Sequence, residues 1–153
     1  MTAFLETTVD KFTFRVPTDR WYAADGAWVL PLDPGNGVRV RIGLTDFMQQ
    51  RSGDIAFVTV RPPGTQLGAG DDFAEIETIK VNLALPSPVR GSVLEVNPAL
   101  EITPEIVNQD PYGDGWLAVI AVADWEAESQ GLLTPEAYFT HMREQANSEV
   151  ERT

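Results

Sequence analysis

At 153 residues and 43% apolar composition, the chain suits one domain with a real core and terminal extensions. A net charge of −12 repels nucleic-acid backbones and anionic membrane surfaces alike. There is no cysteine and only one histidine, His141, which removes disulfides, thiolate chemistry and multi-histidine metal sites.

The N-terminus has neither the basic region nor the long apolar region of a signal peptide. Phe12 to Val16 alternates like a strand. Ala27 to Leu32 is apolar and runs into a strong turn signal, Asp33-Pro34-Gly35-Asn36-Gly37. Val38 to Ile42 alternates strictly, valines and isoleucine on one face and arginines on the other. Thr45 to Arg51 predicts a short helix with Thr45 or Asp46 as its cap, ended at Gly53-Asp54. Ile55 to Val60 reads as a strand closed by Pro62-Pro63-Gly64. From Phe73 to Leu85, periodicity alone predicts one long strand: Ile79, Val81, Leu83 and Leu85 share one parity, and no Gly or Pro interrupts near Lys80.

Pro86-Ser87-Pro88 closes that stretch, and Gly91 to Asn97 is a further strand. Thr103-Pro104-Glu105 predicts a helix start, Asp110 to Gly115 a loop, and Trp116 to Val122 an apolar strand. The apolar run Leu117 to Ala123 is too short to span a bilayer, so the expected location is the cytoplasm. Thr134-Pro135-Glu136 opens a C-terminal helix with Ala137, Phe139, Met142 and Ala146 on one face. The last residues, Glu149 to Thr153, are expected to fray. Strands with a C-terminal helix and no βαβ rhythm point to an all-β or β-dominated α+β domain.

Nucleophilic triads and phosphate loops fail at once: the one histidine falls on the C-terminal helix, and Gly70 is followed by Asp71-Asp72 rather than Lys-Ser/Thr. Asp71, Asp72, Glu75 and Glu77 lack a calcium-loop spacing and read as a solvated acidic face, so no metal is expected. The equipment of a stand-alone enzyme is missing, which favours a carrier, adaptor or binding module. Lysine is the rare cation, with only Lys11 and Lys80 against nine arginines, and only lysine offers a primary amine for acylation.

With Glu77-Thr78-Ile79-Lys80-Val81 in place of Glu-Ser/Thr-Val-Lys-Ala, the chain resembles the H-protein family of the glycine cleavage system. Gly43-Leu44-Thr45-Asp46-Phe47, Gly53 to Val58, Ser87-Pro88-Val89-Arg90-Gly91, Glu95-Val96-Asn97 and Asn108 to Trp116 resemble it too, in order, and Gly53 to Trp116 needs no gap. The resemblance implies a mainly β, lipoyl-domain-like sandwich of two antiparallel sheets (a barrel-sandwich hybrid) with a short internal helix and a C-terminal helix. It implies an N-terminal extension at 1–17, the carrier domain at 18–148 and a frayed tail at 149–153. It places Lys80 at a hairpin tip, bearing lipoic acid as an amide, with Glu77, Thr78, Ile79 and Val81 as the attachment motif. The chain would then be a cofactor-bearing subunit rather than an enzyme.

The sequence departs from the family at the surroundings of the cargo. Where the family has His-Glu before Trp21, this chain has Asp19-Arg20, and Ala84 stands where the family has an aspartate. An arginine beside a cationic aminomethyl cargo is unfavourable and suits an anionic one. That resembles the lipoate-binding proteins of sulfur oxidation, with a heterodisulfide-reductase-like complex as partner, and this branch is the leading expectation. The alternatives are glycine cleavage, with glycine decarboxylase and aminomethyltransferase, and a non-lipoylated binding or scaffold module. Either carrier reading implies lipoate ligase or lipoyl transferase and dihydrolipoamide dehydrogenase, with no nucleic-acid or membrane partner.

Overall fold

Short apolar stretches broken by turn residues cannot bury themselves alone, and here they pair into antiparallel sheets. A computed structural model describes residues 2–33 and 38–151. The turn expected at Asp33 to Gly37 therefore falls, from residue 34 on, outside the described residues. In chain order, β1 (Phe4–Val9) and β2 (Phe12–Pro17) form a hairpin, followed by β3 (Trp21–Tyr22), β4 (Ala27–Pro31) and β5 (Arg39–Leu44). Helix α1 (Asp46–Ser52) precedes β6 (Ile55–Val60), β7 (Gln66–Leu67), β8 (Asp72–Thr78), β9 (Asn82–Pro86) and β10 (Gly91–Val96). Two one-turn helices, α2 (Ala99–Ile102) and α3 (Ile106–Gln109), lead to β11 (Ala118–Ala121), α4 (Trp125–Ser129) and the long α5 (Pro135–Glu151). One sheet has the order β3-β4-β5-β11-β10-β7 and a second the order β6-β8-β9. The sandwich expected from the resemblance is thus present, with the β1–β2 hairpin added.

The alternation of β5 works as read: Val40 and Ile42 are buried, while Arg39 and Arg41 take the other face. They join Trp28, Leu44, Phe73, Ile76, Leu117 and Ile120 in one core. Burying each such side chain contributes about 1.5–3 kcal/mol before entropy is counted. Gly43 is required there, because a Cβ at that position would stand 2.6 Å from the Trp28 ring. Thr45 caps α1, its Oγ1 accepting from Met48 N at 3.4 Å. Gly53, at φ +83°, ends the helix as a glycine can.

Four expectations need correction. The long strand over Phe73 to Leu85 is two strands, β8 and β9, with a reversal at residues 78–81. The helix signalled at Thr103-Pro104-Glu105 is the single turn α3, starting at Ile106, and two further short helices, α2 after Asn97-Pro98 and α4 capped by the Asp124 side chain, were not expected. On α5 the buried residues are Tyr138, Met142 and Ala146, whereas Ala137 is exposed and Phe139 half-buried. Tyr138 turns inward because its polar tip is satisfied: it stacks on Tyr22 at 4.7 Å and its hydroxyl hydrogen-bonds Thr45 Oγ1 at 2.8 Å. Finally, the expected fraying does not begin at Glu149. The helix continues to Glu151, and Glu149 pairs with Arg51 of α1 at 2.9 Å.

Candidate functional site

The reversal between β8 and β9 uses no glycine or proline. Strand pairing carries through Ile76↔Leu83 and Glu77↔Asn82, and the chain then turns over Thr78-Ile79-Lys80-Val81. Thr78 N donates to Val81 O at 2.8 Å. Thr78 Oγ1 accepts from Lys80 N at 3.2 Å and from Val81 N at 3.1 Å. One threonine hydroxyl therefore satisfies the turn's inner amides, the work an Asn or Asp side chain does in many tight turns. The result presents Ile79 at 92% exposure with Lys80 exposed beside it and Val81 half out. The Lys80 stem leans across the end of α1, where a Cβ on Gly53 would lie 3.9 Å from its Cε. Among the described residues Lys80 Nζ is in no salt bridge.

Beside this lysine lies a groove of about 420 Å³. The β1–β2 hairpin supplies Val9, Phe12 and Phe14, α1 supplies Phe47 and Arg51, and the end of α5 supplies Ala146 and Glu149. Phe14 meets Phe47 edge-on at 5.2 Å, so the wall is a packed aromatic pair. The Arg51–Glu149 ion pair ties α1 to the end of α5. Sequence reasoning did not find this groove. Its only signal was the aromatic alternation Phe12-Thr13-Phe14, which gives no hint of which lysine it will face.

The structure brings Glu77, Thr78, Ile79 and Val81 together with Lys80. It does not bring Asp19, Arg20 or Ala84 to the groove beside that lysine. Ala84 sits on β9 opposite Glu75 and lines a separate hollow with Thr59 and Arg61. Arg20 is only 7% exposed. Its Nε donates to Asp19 Oδ1 at 2.8 Å and its Nη1 to Tyr112 O at 3.1 Å. Its guanidinium also stacks over Trp28 at 4.7 Å. Burial pulls the Asp19 carboxyl upward, but the Arg20 hydrogen bond and charge, helped by Thr2, outweigh this and hold it below the ordinary carboxylate value.

Arg20→Met keeps a stem over Trp28 but strips the donors from Asp19 and Tyr112. The expected loss at neutral pH is about 1–2 kcal/mol, kept modest because the Asp19 side chain is 38% exposed. A depressed carboxyl pKa contributes stability above its unfolded value and loses it as pH falls through the folded one. The gap between wild type and Arg20→Met in urea melts should therefore narrow on acidification below about pH 4. A gap that stays constant would remove Asp19 as the partner that matters.

A profile described as glycine cleavage H-protein matches residues 20–145. The chain belongs to the glycine cleavage H-protein family. It is 42% identical over 122 residues to the glycine cleavage system H protein of Salinibacter ruber, covering 80% of this chain and 94% of that one. The H protein of Alteromonas mediterranea is 44% identical over 123 residues, with 80% and 92% covered. A crystal structure of the H protein from Mycobacterium marinum superposes with a TM-score of 0.69 at 33% identity, covering 82% of this chain and 97% of that one. Proteins of the H-protein family carry a lipoyl group on a lysine and act as carrier subunits rather than catalysts. The profile begins at residue 20, so the β1–β2 hairpin that walls the groove lies outside the matched span. No helix among the described residues is long and apolar enough to cross a membrane.

Proposed function

We propose that this chain is a lipoyl carrier of the glycine cleavage system, with Lys80 as the attachment point and glycine decarboxylase and aminomethyltransferase as the enzymes it serves. Lipoate ligase or lipoyl transferase installs the group, and dihydrolipoamide dehydrogenase resets it. One observation carries the reading: within an H-protein frame, the only lysine on the family's motif stands exposed, and in no salt bridge among the described residues, at the tip of a hairpin.

The residues fit the group. Acylation needs an accessible amine, and the turn held by Thr78 offers one. Amide formation removes the Lys80 charge, which leaves an apolar tether beside a groove with aromatic lining and polar edges at Asp10, Gln50, Arg51 and Glu149. When attached, the lipoyl group supplies a two-electron thiol–disulfide couple on a tether that raises its effective concentration at each enzyme. The chain's own contribution is placement. Phe12, Phe14 and Phe47 give an apolar surface where tether methylenes gain about 0.8 kcal/mol for each CH₂ withdrawn from water. The absence of cysteine leaves no internal thiol to capture the ring.

The sulfur-oxidation reading, preferred from the sequence, rested on Arg20 as a cation suited to an anionic cargo and on Ala84 in place of an aspartate, and Ala84 lines a hollow separate from the groove beside Lys80. In the structure that guanidinium is spent on Asp19, Tyr112 O and the Trp28 face. With that argument removed, the family relatives support glycine cleavage instead. The test is loading: the lipoylated chain, with its ring in the oxidised disulfide form and offered glycine with glycine decarboxylase, should gain the aminomethyl mass increment as CO₂ leaves and the S–S bond opens to one thioether and one thiol. No loading, together with turnover by a heterodisulfide-reductase-like complex, would reverse the choice of pathway.

A further inference from the structure

We propose that the hollow between β6 and α2 is the docking face for glycine decarboxylase, and that it receives a protein knob apolar at its centre and ringed by lysine or arginine. The proposal rests on the carrier reading above. The hollow has a volume of about 740 Å³ and runs along β6 from Ala56 to Val60 and around α2 from Val96 to Pro104. Two large apolar side chains flank it almost bare, Phe57 at 65% and Ile102 at 85% exposure. Singly exposed apolar residues are ordinary, but these two border one concavity lined also by the buried Leu100.

Position relates this hollow to the working lysine. β6 is the edge strand of the three-stranded sheet. Phe57 stands directly opposite Glu77 on β8, Glu77 opposite Asn82 on β9, and Lys80 follows in the connecting turn. A protein seated on the hollow thus reaches the sheet end that presents the lysine.

Charge selects the occupant. Residues 52–60 and 91–110 contain no lysine or arginine and carry Asp54, Glu95, Glu101, Glu105 and Asp110. Glu101 itself lines the hollow. That carboxylate, in a lining that holds no lysine or arginine, favours a basic surface and disfavours an anionic membrane. It also repels a second copy of this chain, which would present the same acidic face to itself. Central aromatic and aliphatic anchors inside a charged rim are the usual carriers of interface energy.

The experiment uses the full-length lipoylated chain as the varied substrate of glycine decarboxylase. Phe57→Ser and Ile102→Ser should each raise the KM for the carrier by about tenfold or more with kcat kept. Their lipoyl mass increments and melting curves should match wild type. Glu101→Lys should raise KM and flatten its dependence on salt. Phe4→Ser, which removes an exposed phenylalanine from the hairpin, should change nothing. Unchanged KM in both Phe57→Ser and Ile102→Ser overturns the docking face and leaves the carrier reading standing. A wild-type chain that is lipoylated but not loaded overturns the glycine-cleavage reading, and the docking face for glycine decarboxylase with it.

Discussion

Lys80→Arg is expected to abolish lipoylation and with it all aminomethyl loading, while the fold is unchanged. Arginine preserves charge and approximate length, but its guanidinium is not an acylatable amine under these conditions. The residue is exposed and in no salt bridge among the described residues, so the cost in stability should stay within about 0.5 kcal/mol. Intact mass after treatment with lipoate ligase and lipoate reads the result directly. The control is unusually clean because the chain has one other lysine, Lys11, and it too occupies a hairpin tip. There Asp10, at φ +57°, makes the turn between β1 and β2. Lys11→Arg should accept the lipoyl group like wild type. A mass increment that survives in Lys80→Arg and disappears in Lys11→Arg would move the attachment point to the hairpin.

Trp28→Ala should produce the largest loss of stability of any change considered, about 3–5 kcal/mol. The indole is fully buried on β4 and lies against Gly43. Its N–H donates to Pro111 O at 2.9 Å, and its face supports the Arg20 guanidinium at 4.7 Å. Truncation removes the apolar surface, leaves a hole that Gly43 cannot fill, and orphans the Pro111 carbonyl. Domains of this size are stable by about 5–15 kcal/mol, so a large share of the total would go. The check is a fall in the urea midpoint at unchanged slope. A shift worth less than about 1 kcal/mol would mean that the loop at 110–115 and Arg20 are held without the ring.

Some of this was readable from letters because the cause is local. The alternation of β5, the Thr45 cap and the Thr134-Pro135 start all act within a few residues, and each appears as read. What stayed hidden depends on partners distant in the chain. The turn at Lys80 is made by a threonine side chain, and the alternating pattern through it looks the same whether the strand continues or folds back. The pattern favours Phe139 over Tyr138 because a hydroxyl counts as polar until its hydrogen bond with Thr45 is known. Strand β1 escaped notice because Leu5, Thr7 and Val9 make a weak apolar face, completed only by packing against α5. The lysine was found through its flanking motif, but its groove is assembled from four separate segments. Arg20 was recognised as a reversal of charge, yet its employment was decided by the Tyr112 carbonyl, 92 positions away.

The path of the two chain ends has a practical side. Strand β1 enters at Phe4, paired with Pro17, and reaches the groove only at its far end, near Val9. The last turn of α5, by contrast, lines the groove itself through Glu149 and Val150. An affinity handle fused ahead of the first strand therefore departs at the opposite end of the hairpin from the lysine. The same handle fused behind the last helix would emerge beside the lysine and crowd it against ligase and decarboxylase alike. A fluorescent label is best placed at the exposed Pro63, at the other end of the β6–β8 ladder, leaving Gly64 with its φ of +93° in place.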